Sequence, residues 1–255
     1  ENVLIIEGIR RTGKTVSVKA FGERQYGNVA WVDFTDKEMY RPLQGRFSGV
    51  DYVNFMITAL LGTKVVPGET LIILDQMDLV GVEDLRHLLA LYRKDGRFDV
   101  VAITEKNALP EEPRKIEMHA MDFEEYLWAE GISEEEIETV REALREGIQV
   151  GDLLHRKLRE CLFTYMLVGG FPEAVKAYQE TGSLEDVRRV QTKYRQLFSD
   201  LLADKFSFIH QRNLLRVTDS IPLHLAKKNK KFQLKYVENG GTNRKYESDL
   251  LWLFI

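Results

Sequence analysis

NVLIIEGIRRTGKT, residues 2–15, decides the fold. An apolar run reaches Gly8, and the pattern G-x-x-x-x-G-K-T is then filled by Gly8, Ile9, Arg10, Arg11, Thr12, Gly13, Lys14 and Thr15. That is the phosphate-binding P-loop pattern in its expected context, with a buried strand before it and an amphipathic run after it. Glycines let the backbone curl so that successive N–H groups, through Val16 at the start of the following helix, point inward as an anion nest. Lys14 then reaches the β- and γ-phosphates, and the Thr15 hydroxyl is placed to ligate magnesium. Arg10 and Arg11 lie inside the loop, either as solvated charges or as contacts to the nucleotide.

Working outward, residues 70–74 (TLIIL) form a second short, wholly apolar run, bounded by turn signals and ending in Asp75 and Gln76. Such a run suits a central parallel strand buried on both faces. An apolar strand ending in Asp is the Walker B element, whose carboxylate holds magnesium directly or through water. Taken alone it could be an acid capping a strand; about 60 residues after a P-loop, the metal role is the better reading. In P-loop ATPases with an extra strand between the Walker A and Walker B strands, the residue after that Asp is usually Glu, which activates the attacking water. Gln76 stands there instead. An amide can hydrogen-bond to water but cannot take its proton, so binding should survive while hydrolysis slows. Three explanations fit: an engineered hydrolysis trap, a natural slow or inactive ATPase, or a base supplied by Asp78 or Glu105. The trap is favoured, because Glu to Gln is the smallest change that removes the base and keeps the shape. Thr104 closes the next apolar strand, residues 99–104 (DVVAIT), expected beside the Walker B strand. It reads either as a sensor of the γ-phosphate or as a strand cap.

Strands and helices alternate over residues 1–121, which predicts a parallel sheet covered by helices. Residues 122–205 carry helical patterns only: 122–129, 133–145 with Ser133 and Glu136 as a capping box, 153–168, a helix from 172, and a long one from Ser183. Gly169-Gly170-Phe171-Pro172-Glu173 reads as a glycine helix stop followed by proline at the next start. Residues 206–255 read as an incomplete winged-helix-like unit, with a strand expected in KFQLKYV, residues 231–237. The fold class expected is therefore an α/β P-loop NTPase domain, a helical module and a basic winged-helix-like segment.

The net charge of -4 over 255 residues hides an asymmetry. Residues 1–204 carry -10, residues 205–245 carry +8, and the last ten carry -2. Lys227, Lys228, Lys230, Lys231, Arg244 and Lys245 make the basic segment a candidate DNA contact. The plainer reading is a solubilising helix end. No apolar run approaches the roughly 20 residues of a membrane span. No secretory signal is visible. The single cysteine, Cys161, reads as a small buried hydrophobe, and the cytoplasm is the expected compartment. The five histidines lack ligand spacing, which argues against a catalytic metal site of the zinc type. The absent initiator Met, and an end inside the apolar run 250–255, read as a fragment.

GIRRTGKT, LIILDQ, RKIEMHAMDFEEYL, YMLVGGFPEAV and SIPLHLAKKNKKFQ, in that order, resemble the prokaryotic AAA+-type ATPases whose ATP-binding domain precedes a family-specific C-terminal domain of unknown function. The resemblance covers nearly the whole chain. In that family the stretch matching 114–127 runs Gly-Arg, a short strand, then Leu-Pro-Leu-Ser-Phe-x-Glu-Tyr/Phe-Leu. Here Phe123, Glu125, Tyr126 and Leu127 match, Pro113 replaces the Gly, and His119-Ala120 replaces Leu-Pro. Arg114 falls on the family's arginine, which implies a phosphate contact in cis or from a neighbouring subunit. Gln76 departs from the pattern, as does TEKNALPEEP, residues 104–113, where a serine-rich turn is usual.

Two functions follow as expectations. The first is an ATP- and magnesium-dependent switch ATPase, slowed or trapped by Gln76, acting as a monomer or homo-oligomer. The alternative is a nucleotide-gated nucleic-acid-binding protein that turns nothing over; a small-molecule kinase ranks third, since no Arg-rich lid is identifiable.

Overall fold

A computed structural model describes residues 2–36, 38, 41–43, 47, 49–79, 81–105 and 114–254. Of TEKNALPEEP only Thr104 and Glu105 lie within it. The described residues group into two compact units, Glu1–Leu184 and Glu185–Ile255. The boundaries expected at 121/122 and 205/206 mark changes of secondary-structure pattern, and as domain limits they are proposals.

The first unit opens with β1 (Val3–Glu7), α1 (Lys14–Gln25), β2 (Asn28–Asp33), α2 (Val50–Leu61), β3 (Thr70–Asp75), α3 (Val82–Asp95), β4 (Asp99–Thr104) and β5 (Lys115–Glu117). Their five strands form one parallel sheet in the order β2-β3-β4-β1-β5. β4 therefore separates the P-loop strand β1 from the Asp75 strand β3, which is the extra-strand arrangement expected from sequence. All six residues of β3 are buried, as a central strand covered on both faces requires.

Alternation along each strand divides the core. Val3, Ile5, Val32, Ile72, Leu74 and Val100 join Val53, Ile57, Leu85 and Leu89 of α2 and α3 on one face. Leu71, Ile73, Val101 and Ile103 meet Val18 of α1 on the other. Each such side chain contributes about 1.5–3 kcal/mol by leaving water, so burial dictates the register. All strands run parallel, so their C-terminal ends share one edge. That edge carries the P-loop, Asp75-Gln76 and Thr104.

The helical part of the first unit is α4 (Phe123–Ala129), α5 (Glu134–Glu146), α6 (Asp152–Val168) and α7 (Pro172–Thr181). The Ser133–Glu136 capping box is formed, and Asp122 with Glu125 makes a second one, satisfying the orphan N–H groups at the start of α4.

The second unit, with α8 (Leu184–Lys205) at its start, contains α9 (Phe208–Leu225) and α10 (Asn243–Phe254). Here the expectation of a strand in KFQLKYV is corrected: residues Leu234–Tyr236 form a 3-10 turn, and no strand occurs among the described residues of this unit. The physical reason is a competing partner. The buried His224 ring donates from Nδ1 to the Ser220 carbonyl at 2.8 Å, which leaves Nε2 as acceptor for the Gln233 N–H at 3.1 Å. Phe232 stacks on that ring, 4.9 Å between centroids, and Tyr236 meets its edge at 5.4 Å. The segment is folded onto α9 by its own side chains rather than laid beside another strand.

Candidate nucleotide site

β1 delivers the chain to the loop at Glu7, which is level with Thr104 on β4 and with Glu117 on β5. Gly8 then turns with φ +152°, and a Cβ there would stand 2.1 Å from the Met118 carbonyl oxygen, so only glycine fits. Arg11 (φ 65°) and Gly13 (φ 99°) also take left-handed conformations, which curls the loop. Thr12 is buried and closes the turn with a hydroxyl bond to the Ile9 carbonyl at 3.0 Å. The first N–H groups of α1, including those of Lys14, Thr15 and Val16, have no acceptor within the helix. With the positive end of the helix dipole they form an anion-seeking surface.

Lys14 is buried and folds back, donating to the Gly8 carbonyl at 2.8 Å and the Ile9 carbonyl at 2.7 Å. Burial lowers its pKa from the usual lysine value, and attraction from Glu105, Asp75 and Asp78 works against that shift.

Asp75 is 2% exposed, yet its carboxylate is well supplied with donors. Oδ2 accepts from the Thr15 hydroxyl at 2.8 Å and the Trp31 indole N–H at 3.1 Å, and Oδ1 accepts from the Gln76 N–H at 2.9 Å. Trp31, on β2, is the residue the sequence reading missed. The Lys19 ammonium, one turn along α1 from Thr15, lies 2.9 Å from its ring centroid and fixes the indole. A hydroxyl and a carboxylate, both hard oxygen donors, fit a magnesium ion that takes its remaining ligands from water and phosphate. No cluster of three or more His, Cys, Asp or Glu side chains suited to a metal occurs among the described residues.

Gln76 takes φ 59° immediately after β3, which turns the chain into the 3-10 segment Met77–Leu79. Thr104 is buried at 1% exposure and its hydroxyl donates to the Glu105 carbonyl at 3.3 Å. Arg10 spans the two nearby acids: its Nε donates to Glu105, and its terminal nitrogen is 3.4 Å from Asp78.

Comparison with known families matches residues 1–127 to the AAA domain. Residues 1–127 belong to the AAA domain family. Residues 159–254 match a domain of unknown function (DUF8612). An AAA domain followed by such a domain is the architecture that the sequence resemblance implied. No curated protein matches the chain. The AAA domain has a nucleotide-binding, ATPase-like fold, and no described helix is long and apolar enough to cross a membrane.

A wall of the AAA domain's loop comes from the helical module. The Glu173 carboxylate pairs with Arg11 at 3.1 Å, and Pro172 Cγ lies 3.5 Å from where a Cβ on Gly13 would be. The Gly170 carbonyl accepts from the Met121 N–H at 2.8 Å, and the Tyr165 hydroxyl donates to the Met121 carbonyl at 2.8 Å. The glycine stop and proline start expected of Gly169 to Glu173 are both present, at the ends of α6 and α7. In addition the motif abuts the P-loop.

Arg114 is not in this cluster. It precedes β5, whose first residue, Lys115, is level with Ile5, so Arg114 lies about 10 Å before the strand edge at about 3.3 Å per residue. Its carbonyl accepts from the Ile5 N–H at 3.1 Å, and its side chain is exposed. Of the basic residues expected to contact DNA, Lys228, Lys230, Lys231, Arg244 and Lys245 are exposed and Lys227 is half-buried. Lys227 lies over the Tyr236 ring, 2.8 Å from its centroid, and Lys245 pairs with Glu238.

Proposed function

We propose that the AAA domain is an ATP- and magnesium-dependent switch ATPase whose turnover is slowed by Gln76. The observation that carries the reading is the meeting of the P-loop hydroxyl of Thr15 with the β3 carboxylate of Asp75 at 2.8 Å, beside a loop curled for anions. The backbone from Gly8 through Val16 cradles the triphosphate, with Arg10, Arg11 and Thr12 on the loop and Gly13 at its close. Lys14 leaves the carbonyls of Gly8 and Ile9 and turns to the β- and γ-phosphates, a stronger acceptor pair for an ammonium. Thr15 and Asp75 hold magnesium, which supplies neutralisation of charge on the phosphate oxygens. Gln76 orients water without accepting its proton, and Thr104 senses the γ-phosphate. Arg114, exposed and away from the loop, acts on a nucleotide held by a neighbouring copy in a homo-oligomer.

The switch output runs through the loop wall. Arg11 is paired with Glu173, and an incoming phosphate competes for that guanidinium. Nucleotide state is thereby linked to α7 and the helical module. A second reading, nucleotide-gated DNA binding without turnover, rests on the exposed Lys228, Lys230, Lys231 and Arg244 in the +8 segment.

Phosphate release from the parent chain, from Gln76→Glu and from Lys14→Ala tests the first reading. Gln76→Glu is expected to raise the rate by roughly 10²-fold, the low end of what a general base supplies. A Gln76→Glu rate no higher than that of Lys14→Ala overturns it.

A further inference from the structure

Gln76 leaves the site without the usual proton acceptor, and two carboxylates stand close enough to replace it. Asp78 and Glu105 both contact Arg10, with side chains only 14% and 19% exposed. Their positions differ. Glu105 is the first residue beyond β4, the strand between the P-loop strand and the Asp75 strand, and its neighbour Thr104 is level with Glu7, the last residue before the loop. It thus leaves the sheet edge at the centre of the nucleotide-facing side. Asp78 sits further along, past the turn at Gln76, with a side chain one methylene shorter.

We propose that Glu105, released from Arg10 when the γ-phosphate draws that guanidinium away, accepts the proton of the attacking water in place of the residue at position 76. The inference deepens the ATPase reading and rests on it.

Three observations support the choice of Glu105. Arg10 belongs to the loop that wraps the phosphates, so a triphosphate arriving there offers it a more highly charged partner than either carboxylate. Glu105 heads the attractions felt by the Lys14 ammonium, ahead of Asp75 and Asp78, in keeping with its place beside the loop, where it meets Arg10. Once the guanidinium has moved to the phosphate, the Glu105 carboxylate no longer accepts from Arg10 and can accept a proton from water. The step balances. The water oxygen bonds to the γ-phosphorus as its proton passes to Glu105. The bond from that phosphorus to the bridging oxygen breaks, its electron pair stays on the β-phosphate, and ADP and phosphate leave. The proton then returns to solvent.

The test compares the full chain with Glu105→Gln, Asp78→Asn, Glu105→Asp, Gln76→Glu and Lys14→Ala, measuring phosphate release against pH and ATP binding by calorimetry. Glu105→Gln is expected to lose about 10²-fold or more in rate while binding ATP within a few-fold of the parent, and to lose the acidic limb of the pH profile. Asp78→Asn is expected to stay within a few-fold. Glu105→Asp, which keeps the acid and shortens its reach, is expected to keep the limb at a reduced rate, and it serves also if Glu105→Gln fails to fold. An unchanged rate in Glu105→Gln, a large loss confined to Asp78→Asn, or loss of the limb in Glu105→Asp overturns the proposal. A parent no faster than Lys14→Ala beside an active Gln76→Glu overturns it too, while leaving the ATPase reading intact. Both inert would remove the two together.

Discussion

The Thr15 hydroxyl and the Asp75 carboxylate, 60 residues apart in sequence, are joined by a 2.8 Å hydrogen bond, and the Trp31 indole shares the same oxygen at 3.1 Å. The bond orients the carboxylate before any metal arrives, and the second donor, from Trp31, holds the same oxygen against rotation. A group that orients a metal ligand from behind is typically worth about 10–100-fold in metal affinity. Trp31→Phe keeps the aromatic body under Lys19 and removes the N–H. Its ATP affinity without magnesium should match the parent, and its magnesium dependence should shift by about that factor. Titrating magnesium at fixed ATP checks this; an unshifted curve means that Asp75 is oriented without Trp31.

Gly169 and Gly170 are adjacent in sequence and unlike in consequence. Gly169 caps α6 with φ 76° and ψ -178°, a region almost reserved for glycine, and has no atom within 4 Å of where a Cβ would be, so Gly169→Ala costs about 1–3 kcal/mol of backbone strain alone. A Cβ on Gly170 would stand 2.0 Å from the Met121 carbonyl oxygen. Relief means parting the strands of chain joined by the Met121 N–H to Gly170 bond, so Gly170→Ala should cost about 3 kcal/mol or more. Urea unfolding of the two variants decides it. Equal losses would mean that the 121–170 contact gives way freely.

That pair also marks where sequence reading ended. The five-stranded parallel sheet was legible because β1, β3 and β4 are short apolar runs bounded by turns, and a buried parallel strand writes itself that way. The loop and Asp75 were legible because their chemistry depends on fixed local spacing. Trp31 was not, since its meeting with Asp75 depends on β2 pairing with β3 in a register that puts Asp33 level with Asp75. The joining of Arg10 to Glu105 and Asp78, and of Arg11 to Glu173, depends likewise on chain ends brought together by the fold. Local signals reported Gly169 to Glu173 as a helix junction, which it is, but nothing local says that the junction abuts the P-loop. KFQLKYV failed in the opposite direction. Its β propensity was real, and the buried His224 ring captured the Gln233 backbone first.

Glu238 offers a test by pH in the second unit. Hydrogen bonds from Lys245 and Tyr246, with help from Arg216 at 2.6 Å, hold its carboxyl down to about 2 from the ordinary 4.5. A carboxylate whose folded pKa is depressed adds stability above its unfolded pKa and loses it as pH falls toward the folded one. The contribution is therefore complete above about pH 4.5 and fades toward pH 2. Glu238→Gln should melt below the parent at pH 7, with the gap narrowing through that window. A gap that is constant from pH 7 to pH 2 would mean that the carboxylate's charge contributes nothing.

The basic segment distinguishes the two readings of function through salt. Lys227 lies over the Tyr236 ring and Lys245 pairs with Glu238, which leaves the exposed Lys228, Lys230, Lys231 and Arg244 as the candidates for phosphate contact. If those four neutralise four phosphates, counterion release predicts a slope of log affinity against log salt near -3.6, at about -0.9 per contact. Between about 50 and 200 mM salt that amounts to a loss of roughly 150-fold for random duplex. Replacing Lys230 by Ala should weaken binding alike on every sequence and reduce the slope by about 1, because a phosphate contact carries no base information. ATP with magnesium should shift the midpoint without altering the slope if the nucleotide only gates access to the patch. Binding indifferent to salt over that range, or a slope unchanged in Lys230→Ala, would leave the four cations as a solvated surface and the ATPase reading without a nucleic-acid output.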